Sequence, residues 1–348
     1  MHTIPEYYTF DDVLLLPRHA ALSREDISIE TTLTAQLSLA VPFISSPMDT
    51  VTSTTMALEM SRLGGLGILH RNTTLEALCR DARMIRDGGG KVVCALGPTD
   101  EAWLAQLVRE VSIDGVVLDN AHADSAVVVH ALDAFKRLVP EVMVGNMVTA
   151  DAAQRLIEAG ASALKVGIGS GSICTTRTTT GVGAPQLSAL LAVAEVAKRH
   201  GVSVLADGGI RGSADIAKAL AAGADAVVLG SLLAATSCAP GELVEREDGT
   251  YKSYRGMGSE AVMQEGYTTR YNQSYLNVDA VVPEGVSGMV PYKGETRALV
   301  AELAEYLRSS MYYCGARSIQ ELHANAQCVR MTSAGAHESG VHSVRRTD

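Results

Sequence analysis

The sequence predicts a single (β/α)₈ barrel, and three observations predict it. Eight short runs rich in β-forming residues recur at intervals of roughly 25 residues, and most are followed by a helical pattern. The runs are apolar throughout rather than alternating, which is typical of parallel strands buried on both faces. Polar and glycine residues follow the run ends, which in a barrel meet on one rim. The predicted strands are residues 41–45, 67–70, 92–95, 115–119, 142–145, 163–167, 203–207 and 226–230.

Helical spacing of apolar residues fills the intervals between these runs. It predicts helices over residues 150–160 and 213–220, the first ending at Gly160 and the second capped by Ser213. The regular alternation ends after Ser231. Residues 239–295 show weak periodicity and are predicted to be a long structureless segment that acts as a mobile flap. A helix is predicted over residues 296–308, and residues 1–348 are expected to form one catalytic domain.

Composition and charge exclude several classes of protein. The chain has 348 residues, of which 47% are hydrophobic and 20% charged, so it can bury a large core. Its net charge of −10 argues against general binding to nucleic acid or anionic membranes. A phosphorylated small molecule remains possible, because local backbone N–H groups can bind phosphate. We find no secretory signal and no apolar run of membrane-spanning length, and therefore expect a cytoplasmic protein.

One of the six cysteines occupies an unusual place. The six show no CxxC pair and no regular spacing, which argues against a disulfide framework or a zinc site. Cys174 lies in a loop rich in Gly and Ser, residues 169–177, directly after a predicted strand. Such a cysteine can act as a nucleophile if its surroundings keep it as thiolate, and the glycines let N–H groups approach a phosphate. The alternative is a small buried hydrophobic residue, which is the interpretation for the other five.

Several motifs resemble the inosine-5′-monophosphate (IMP) dehydrogenase / GMP reductase family over nearly the whole chain. Besides the cysteine loop, the motifs are TFDDVLLLP at 9–17, SPMDTVT at 46–52, GGLGILH at 64–70, TGVGAPQ at 180–186, ADGGI at 206–210 and YRGMGS at 254–259. The resemblance implies a barrel enzyme with one of two chemistries. The dehydrogenase oxidises IMP to xanthosine monophosphate (XMP) with NAD through a cysteine adduct and its hydrolysis. The reductase converts GMP to IMP and ammonia with NADPH.

Two segments favour the dehydrogenase. Arg270-Tyr271 resembles the flap pair that activates water in the dehydrogenase, and residues 338–342 resemble its tail, which supplies carbonyls to a potassium site between subunits. Other features are closer to the reductase: Gly88–Gly90 stand where dehydrogenases usually carry a pair of CBS modules, so we expect that module to be absent, and residues 259–263 are somewhat reductase-like. Ala123 and Asn272 depart from the family pattern. A GMP reductase and a catalytically weak nucleotide-binding paralogue are therefore the alternatives.

The resemblance implies four catalytic residues. Cys174 is the nucleophile for C2 of the purine, Thr176 relays a proton, and Arg270 with Tyr271 activates water. Arginine normally stays protonated, so it can act as a base only with help from its surroundings. The alternatives are a loop-capping hydroxyl for Thr176 and a solvated pair on a loop for Arg270 and Tyr271.

The resemblance also implies binding residues. Asp207 is expected to bind the ribose hydroxyls, and Glu284 to accept from the purine N1–H, although most Glu side chains are simply solvated. For Ser231 a plain helix N-cap is compatible with phosphate binding. The substrate set is Ser172, Asp207, Gly208, Gly209, Gly230, Ser231, Tyr254, Gly256, Met257, Gly258 and Glu284, and the cofactor set is Asp119, Asn146, Gly167 and Gly169.

A potassium site and an assembly follow from the same resemblance. Backbone carbonyls suit a hard monovalent cation. The expected ligands are the carbonyls of Gly169, Gly171 and Cys174, joined by those of Glu338, Ser339 and Gly340 of the partner subunit. The enzyme is expected to be a homotetramer that uses NAD, although no Rossmann fingerprint is present to distinguish NAD from NADP.

Overall fold

The computed structural model describes residues 4–276, 280–341 and 343–344. His342, at the end of the tail motif, and three residues of the expected flap lie outside these ranges. The strands are β1 (Val13–Leu15), β2 (Thr31–Thr34), β3 (Leu37–Leu39), β4 (Phe43–Ser45), β5 (Leu66–Leu69), β6 (Val93–Leu96), β7 (Gly115–Asp119), β8 (Val142–Met147), β9 (Ala163–Val166), β10 (Ser203–Asp207), β11 (Ala226–Leu229), β12 (Leu243–Arg246), β13 (Gly249–Arg255), β14 (Ser287–Pro291) and β15 (Cys328–Arg330).

Helices follow most of the central strands. The helices are α1 (Thr54–Arg62), α2 (Leu75–Asp87), α3 (Glu101–Glu110), α4 (Ala126–Lys136), α5 (Ala150–Glu158), α6 (Thr176–Thr180), α7 (Gln186–His200), α8 (Ser213–Ala221), α9 (Ser231–Ala234), α10 (Glu260–Gln264), α11 (Thr296–Tyr313), α12 (Ile319–Asn325) and α13 (Ser333–Glu338). Gly212, not Ser213, is the N-cap of α8. Within the described ranges no helix is both long and apolar enough to cross a membrane.

Strands β4 to β11 close into a barrel, which confirms the predicted (β/α)₈ fold. Neighbouring strands are parallel, and the barrel closes where β11 pairs with β4, with Val227 opposite Phe43. All eight predicted runs are barrel strands, with ends that differ by at most two residues. Each strand is buried on one face by the barrel interior and on the other by the helices. Its sequence is therefore apolar throughout, which is why the strands could be predicted.

The barrel interior has an apolar layer at its amino end. It contains Ile44, Leu66, Ile68, Val93, Ala95, Val117, Met143, Ala163, Leu205, Ala226 and Val228, together with Leu33, Leu37 and Leu39 of the β2–β3 hairpin. The hairpin contributes to the same cluster and thereby covers the amino end of the barrel. A second, larger cluster lies between the strands and the surrounding helices.

The segment 239–295 is not structureless, so that expectation was wrong. Strands β12, β13 and β14 form an antiparallel sheet, and α10 and a 3₁₀ turn (Thr269–Tyr271) lie between β13 and β14. These strands are half exposed and polar, for example Glu245 opposite Thr250, so they lack the continuous apolar runs of the barrel strands. Lys252 is nevertheless buried, and its Nζ donates to the Ala239 carbonyl at 2.5 Å.

The Gly88–Gly90 triplet lies in the short loop between α2 and β6. Helix α2 ends at Asp87, Gly88 is its C-cap, and β6 begins at Val93. Gly89 has φ +75°, a left-handed conformation that favours glycine. The chain therefore passes directly from α2 to β6.

Candidate active site

A large cavity lies at the carboxyl end of the barrel strands, as in other barrels of this kind. Its volume is about 310 Å³. Its lining joins strand ends, the cysteine loop and the segment that follows β13. The predicted site residues that line it are Asn146, Gly167, Gly169, Gly171, Ser172, Cys174, Thr176, Asp207, Gly208, Gly209, Gly230, Ser231, Tyr254, Gly256, Met257, Gly258, Arg270, Tyr271 and Glu284.

The cysteine loop is shaped by backbone hydrogen bonds. Cys174 N–H donates to the Gly171 carbonyl at 3.1 Å, and the Cys174 Sγ lies 3.2 Å from the Thr176 Oγ1. Cys174 is half buried, and Thr176 begins α6. The hydroxyl is therefore within reach of the sulfur, as a proton relay requires.

A second segment pairs with the cysteine loop and brings Glu284 into the cavity. Thr175 N–H donates to the Glu284 carbonyl at 3.0 Å, and Val286 N–H donates to the Ile173 carbonyl at 3.0 Å. Glu284 N–H in turn donates to the Gly258 carbonyl at 2.9 Å. Two chain segments more than a hundred residues apart in sequence thus share one wall of the cavity.

A buried ion cluster lies beside this wall, and Lys165 is its centre. Lys165 Nζ lies 2.7 Å from Asp207 Oδ2 and 3.1 Å from Asp119 Oδ1, with the lysine side chain only 1% exposed. It also donates to Asn146 Oδ1 at 2.5 Å, while Asn146 Nδ2 donates to Asp207 Oδ2 at 2.9 Å. The position of Asp207 is therefore fixed by two donors, and one oxygen remains available to hydroxyl donors of a ligand.

Arg270 completes the cluster from the opposite side. Its guanidinium forms an ion pair with Asp119 Oδ2, and Asp119 is fully buried. Burial lowers the pKa of Arg270, the nearby charge of Arg71 adds to this, and Tyr271 opposes it. The ion pair with Asp119 also opposes it, because an adjacent anion favours the protonated form. Arg270 Nε is buried without a hydrogen-bond partner.

Tyr271 packs against a glycine that no larger residue could replace without movement. A Cβ on Gly258 would lie 2.6 Å from the Tyr271 Cζ and 2.8 Å from its hydroxyl oxygen. Burial raises the pKa of the Tyr271 phenol, and Arg270 acts in the opposite direction. The phenol and the guanidinium are thus adjacent in the cavity, and the alternative of a solvated pair on a loop does not describe this arrangement.

The other end of the cavity carries hydroxyl and backbone donors. Burial raises the pKa of the Tyr254 phenol, with the Ser172 side chain acting against this. A Cβ on Gly230 would lie 2.8 Å from the Tyr254 hydroxyl oxygen, so glycine permits this approach. Gly230, rather than Ser231, is the N-cap of α9, which leaves the Ser231 hydroxyl free of a capping role. Gly208 and Gly209 have φ +95° and +79°, a turn that favours glycine.

Four of the predicted site residues do not line the cavity. Asp119 lies beneath Arg270, so a ligand can contact its carboxylate only after Arg270 moves away. Glu338, Ser339 and Gly340 are exposed at the end of α13, where the single chain does not bring them to the cysteine loop. Within the described ranges, no group of three His, Cys, Asp or Glu side chains is placed to hold a metal ion.

The two departures from the family pattern have local explanations. Asn272 has φ +56°, a left-handed conformation that asparagine tolerates better than most residues, and its Oδ1 accepts from Asn120 Nδ2 at 3.2 Å. Ala123 is fully buried, and its N–H donates to the Asn146 carbonyl at 2.8 Å. Both residues therefore help to hold the loops around Asn146 and Arg270.

Sequence reasoning missed three residues that position the site. Lys165 was included in an apolar run, although a lysine inside a buried strand must find an anion, and that was the available signal. Arg177 donates through Nε to the Ile168 carbonyl at 3.3 Å, and Gln186 Nε2 donates to the Val166 carbonyl at 2.8 Å. Both hold the ends of the cysteine loop, and no local pattern distinguishes them from other polar residues.

Comparisons with known proteins show which sequences this chain is similar to. The family model for the IMP dehydrogenase / GMP reductase domain matches residues 7–342. The chain is 40% identical to the inosine-5′-monophosphate dehydrogenase of Cryptosporidium parvum, with 97% of this chain and 95% of that protein covered. It is 34% identical to the protein of that name from Helicobacter pylori (99% and 98% covered) and 34% identical to that from Bacillus subtilis (98% and 96% covered). The Helicobacter alignment spans 471 positions, so part of that relative has no counterpart among the 348 residues here.

Proposed function

This chain belongs to the IMP dehydrogenase / GMP reductase family, and we propose that it oxidises IMP to XMP with NAD, a step of guanine nucleotide biosynthesis. The observation that carries the proposal is the presence of Cys174, Thr176, Arg270 and Tyr271 in one cavity. The relatives reported above carry the dehydrogenase name, which does not favour the GMP reductase alternative. A catalytically weak paralogue would not need all four residues.

In the proposed first step, Cys174 attacks the purine. Its sulfur forms a bond to C2 of IMP, and C2 becomes tetrahedral. NAD, when bound, accepts the hydride that leaves C2. The chain's part is to hold the nucleotide: Asp207 binds the ribose hydroxyls, Glu284 accepts from N1–H, and Met257 and Gly258 contact the purine. Ser172, Gly209, Gly230, Ser231 and Tyr254 bind the phosphate, beside Gly208 and Gly256.

In the proposed second step, water attacks C2 and the C2–sulfur bond breaks, which releases XMP and returns the thiol. Arg270, with Tyr271, takes the proton of the attacking water, and Thr176 relays a proton near the sulfur. Burial lowers the pKa of Arg270, whereas its ion pair with Asp119 favours the protonated form, so Arg270 can act as a base only once its guanidinium has left Asp119. Water, IMP and NAD thus account for XMP, NADH and one proton.

The two steps use the same space at different times. Asn146, Gly167 and Gly169 line the cavity and fit a cofactor, whereas Asp119 is covered by Arg270. We therefore infer that the turn carrying Arg270 leaves Asp119 when the cofactor binds and returns when it departs. The moving part of the expected flap would then be this turn, because the rest of the segment contains a folded sheet.

The proposal includes a potassium ion and an assembly. The loop carbonyls of Gly169, Gly171 and Cys174 would supply part of a cation site, and the carbonyls of Glu338, Ser339 and Gly340 of the partner subunit would complete it. Oxygen-only ligands of this kind suit a hard cation, and the exposed tail is available to reach a neighbour. A cytoplasmic homotetramer without a CBS module is the corresponding assembly.

Two mixtures followed at 340 nm test the proposal. IMP and NAD with potassium should give a rise in absorbance and XMP. If GMP and NADPH give a fall instead, with IMP and ammonia as products, the enzyme is a reductase. Arg270→Ala should retain hydride transfer and slow XMP release, whereas Arg246→Ala, on exposed β12, should behave as wild type. If Arg270→Ala releases XMP as fast as it transfers hydride, the role of Arg270 is wrong.

A further inference from the structure

Arg71 is a buried arginine that links the barrel to the turn carrying Arg270. It lies two residues after the end of β5 and is 7% exposed. Its Nη1 donates to the Asp119 carbonyl at 2.7 Å, and its Nη2 donates to the Thr269 Oγ1 at 2.6 Å. One guanidinium therefore joins the end of β7 to the turn Thr269–Tyr271.

The loop after β6 is shaped to accept this guanidinium. A Cβ on Gly97 would lie 1.9 Å from the Arg71 Nη2 and 2.4 Å from its Cζ, so only glycine leaves the necessary room. Asp100 Oδ2 lies 3.6 Å from Nη2 and also accepts from Gly97 N–H at 2.6 Å. Burial lowers the pKa of Arg71, and Asp100 opposes this. The site thus holds the side chain in one orientation.

The turn is attached to the barrel at a few further points. Ala121 N–H donates to the Arg270 carbonyl at 3.0 Å, and Asn120 contacts Asn272. Arg71 adds the bond to Thr269, the residue directly before Arg270. Because a planar guanidinium donates in a rigid fork, it fixes the direction of the turn as well as its distance.

We propose that Arg71 is a positioning residue that holds the Thr269–Tyr271 turn on the barrel during hydrolysis of the cysteine adduct. The inference rests on the proposed function for its role in the reaction. Hydride transfer needs Cys174, the nucleotide and the cofactor, but it does not need the seated turn. Hydrolysis needs Arg270 and Tyr271 in the cavity, so loss of the Arg71–Thr269 bond slows hydrolysis selectively.

An isosteric pair at Thr269 tests this without changing the barrel. Thr269→Val removes the acceptor, and Thr269→Ser keeps it. With IMP and NAD in rapid mixing, Thr269→Val should keep the burst of NADH within about twofold of wild type and lower the steady-state rate about tenfold. Acid quenching should then trap more protein-bound adduct. Thr269→Ser should resemble wild type, while Arg71→Lys and Gly97→Ala should change the rates as Thr269→Val does.

Two kinetic results would overturn the inference. Thr269→Val would contradict it by slowing the burst and the steady state equally, or by changing neither. If wild type forms no NADH from IMP and NAD, the proposed function fails. Hydrogen exchange of a peptide spanning residues 266–274 then tests separately whether Arg71 holds the Thr269–Tyr271 turn on the barrel. Faster exchange in Thr269→Val than in Thr269→Ser supports the Arg71 contact, and equal exchange overturns it.

Discussion

The interior of the barrel has two layers with opposite chemistry, and β9 contributes to both. Ala163 belongs to the apolar layer at the amino end, while Lys165, two residues later and on the same face of the strand, is the centre of the ion cluster. Gly145, opposite Lys165 on β8, makes room for it, because a Cβ there would lie 2.5 Å from the Lys165 Cβ. The change from the apolar layer to the charged layer therefore occurs over two residues of β9, from Ala163 to Lys165.

The two layers differ in what holds them together. The apolar layer is stabilised by burial, at about 25 cal/mol for each Å² removed from water, and no single member is indispensable. The charged layer is stabilised only while each ion keeps its partner, because an unpaired buried charge is strongly unfavourable. We therefore expect the amino end to tolerate conservative apolar substitutions, whereas the carboxyl end is a set of mutually dependent residues.

The largest effect should come from removing the central cation. Lys165→Met leaves Asp119 and Asp207 without their shared partner, and we expect the free energy of unfolding to fall by about 3–5 kcal/mol. Urea unfolding followed by circular dichroism measures this loss. A loss below about 1 kcal/mol would mean that the charged layer does not need Lys165 as a partner for its carboxylates.

A double-mutant cycle should show the mutual dependence within the charged layer. Asp119→Asn and Lys165→Met should be non-additive by about 0.5–3 kcal/mol, because each removes the other's partner. Lys165→Met combined with Ile68→Val, in the apolar layer, is the control and should be additive within about 0.5 kcal/mol. If the effects are additive in both pairs, the residues of the charged layer do not depend on one another.

The stability contributed by His70, a largely buried residue that follows β5 at the carboxyl end of the barrel, should depend on pH. Burial lowers the pKa of His70, Asp49 and Asp81 oppose this, and Arg255 adds to it. Since the unfolded chain binds a proton at a pKa of about 6.5, stability is complete above that pH and falls as the pH drops toward the folded pKa. Between pH 7.5 and 5.5, wild type should lose up to roughly 1.4 kcal/mol more than His70→Gln.

Urea unfolding of wild type and His70→Gln at pH 7.5 and pH 5.5 measures this difference in the free energy of unfolding. The carboxylates with lowered pKa, such as Asp11 and Asp124 beside arginines, lose their contribution only at lower pH, as they become protonated. An identical pH dependence in wild type and His70→Gln would show that folding does not lower the pKa of His70.

The smallest effect should come from a conservative change in the apolar layer. Ile68→Val removes one buried methylene group, and we expect a loss of about 0.5–1.5 kcal/mol with no change in turnover. Thermal unfolding and the 340 nm assay measure the two quantities. A change in turnover would mean that the apolar layer also sets the geometry of the cavity.

Much of the fold follows from local pattern. All eight barrel strands were predicted, because a strand buried on both faces is a continuous apolar run. Strands β12 to β14 were missed, because half-exposed polar strands have no such run. The family resemblance likewise located the cysteine loop and Glu284, which the structure brings together through the Thr175 and Glu284 backbones.

By itself, the sequence determined the barrel, the loop that carries Cys174 and the family resemblance. Only the tertiary structure decided which charges are paired and how the Arg270 turn is seated. Lys165 and Asp207 are 42 residues apart, and Arg71 and Thr269 are 198 apart. Hydrophobic periodicity reports which face of an element is buried, but a buried ion must find its partner wherever the fold brings one, and that partner leaves no local pattern.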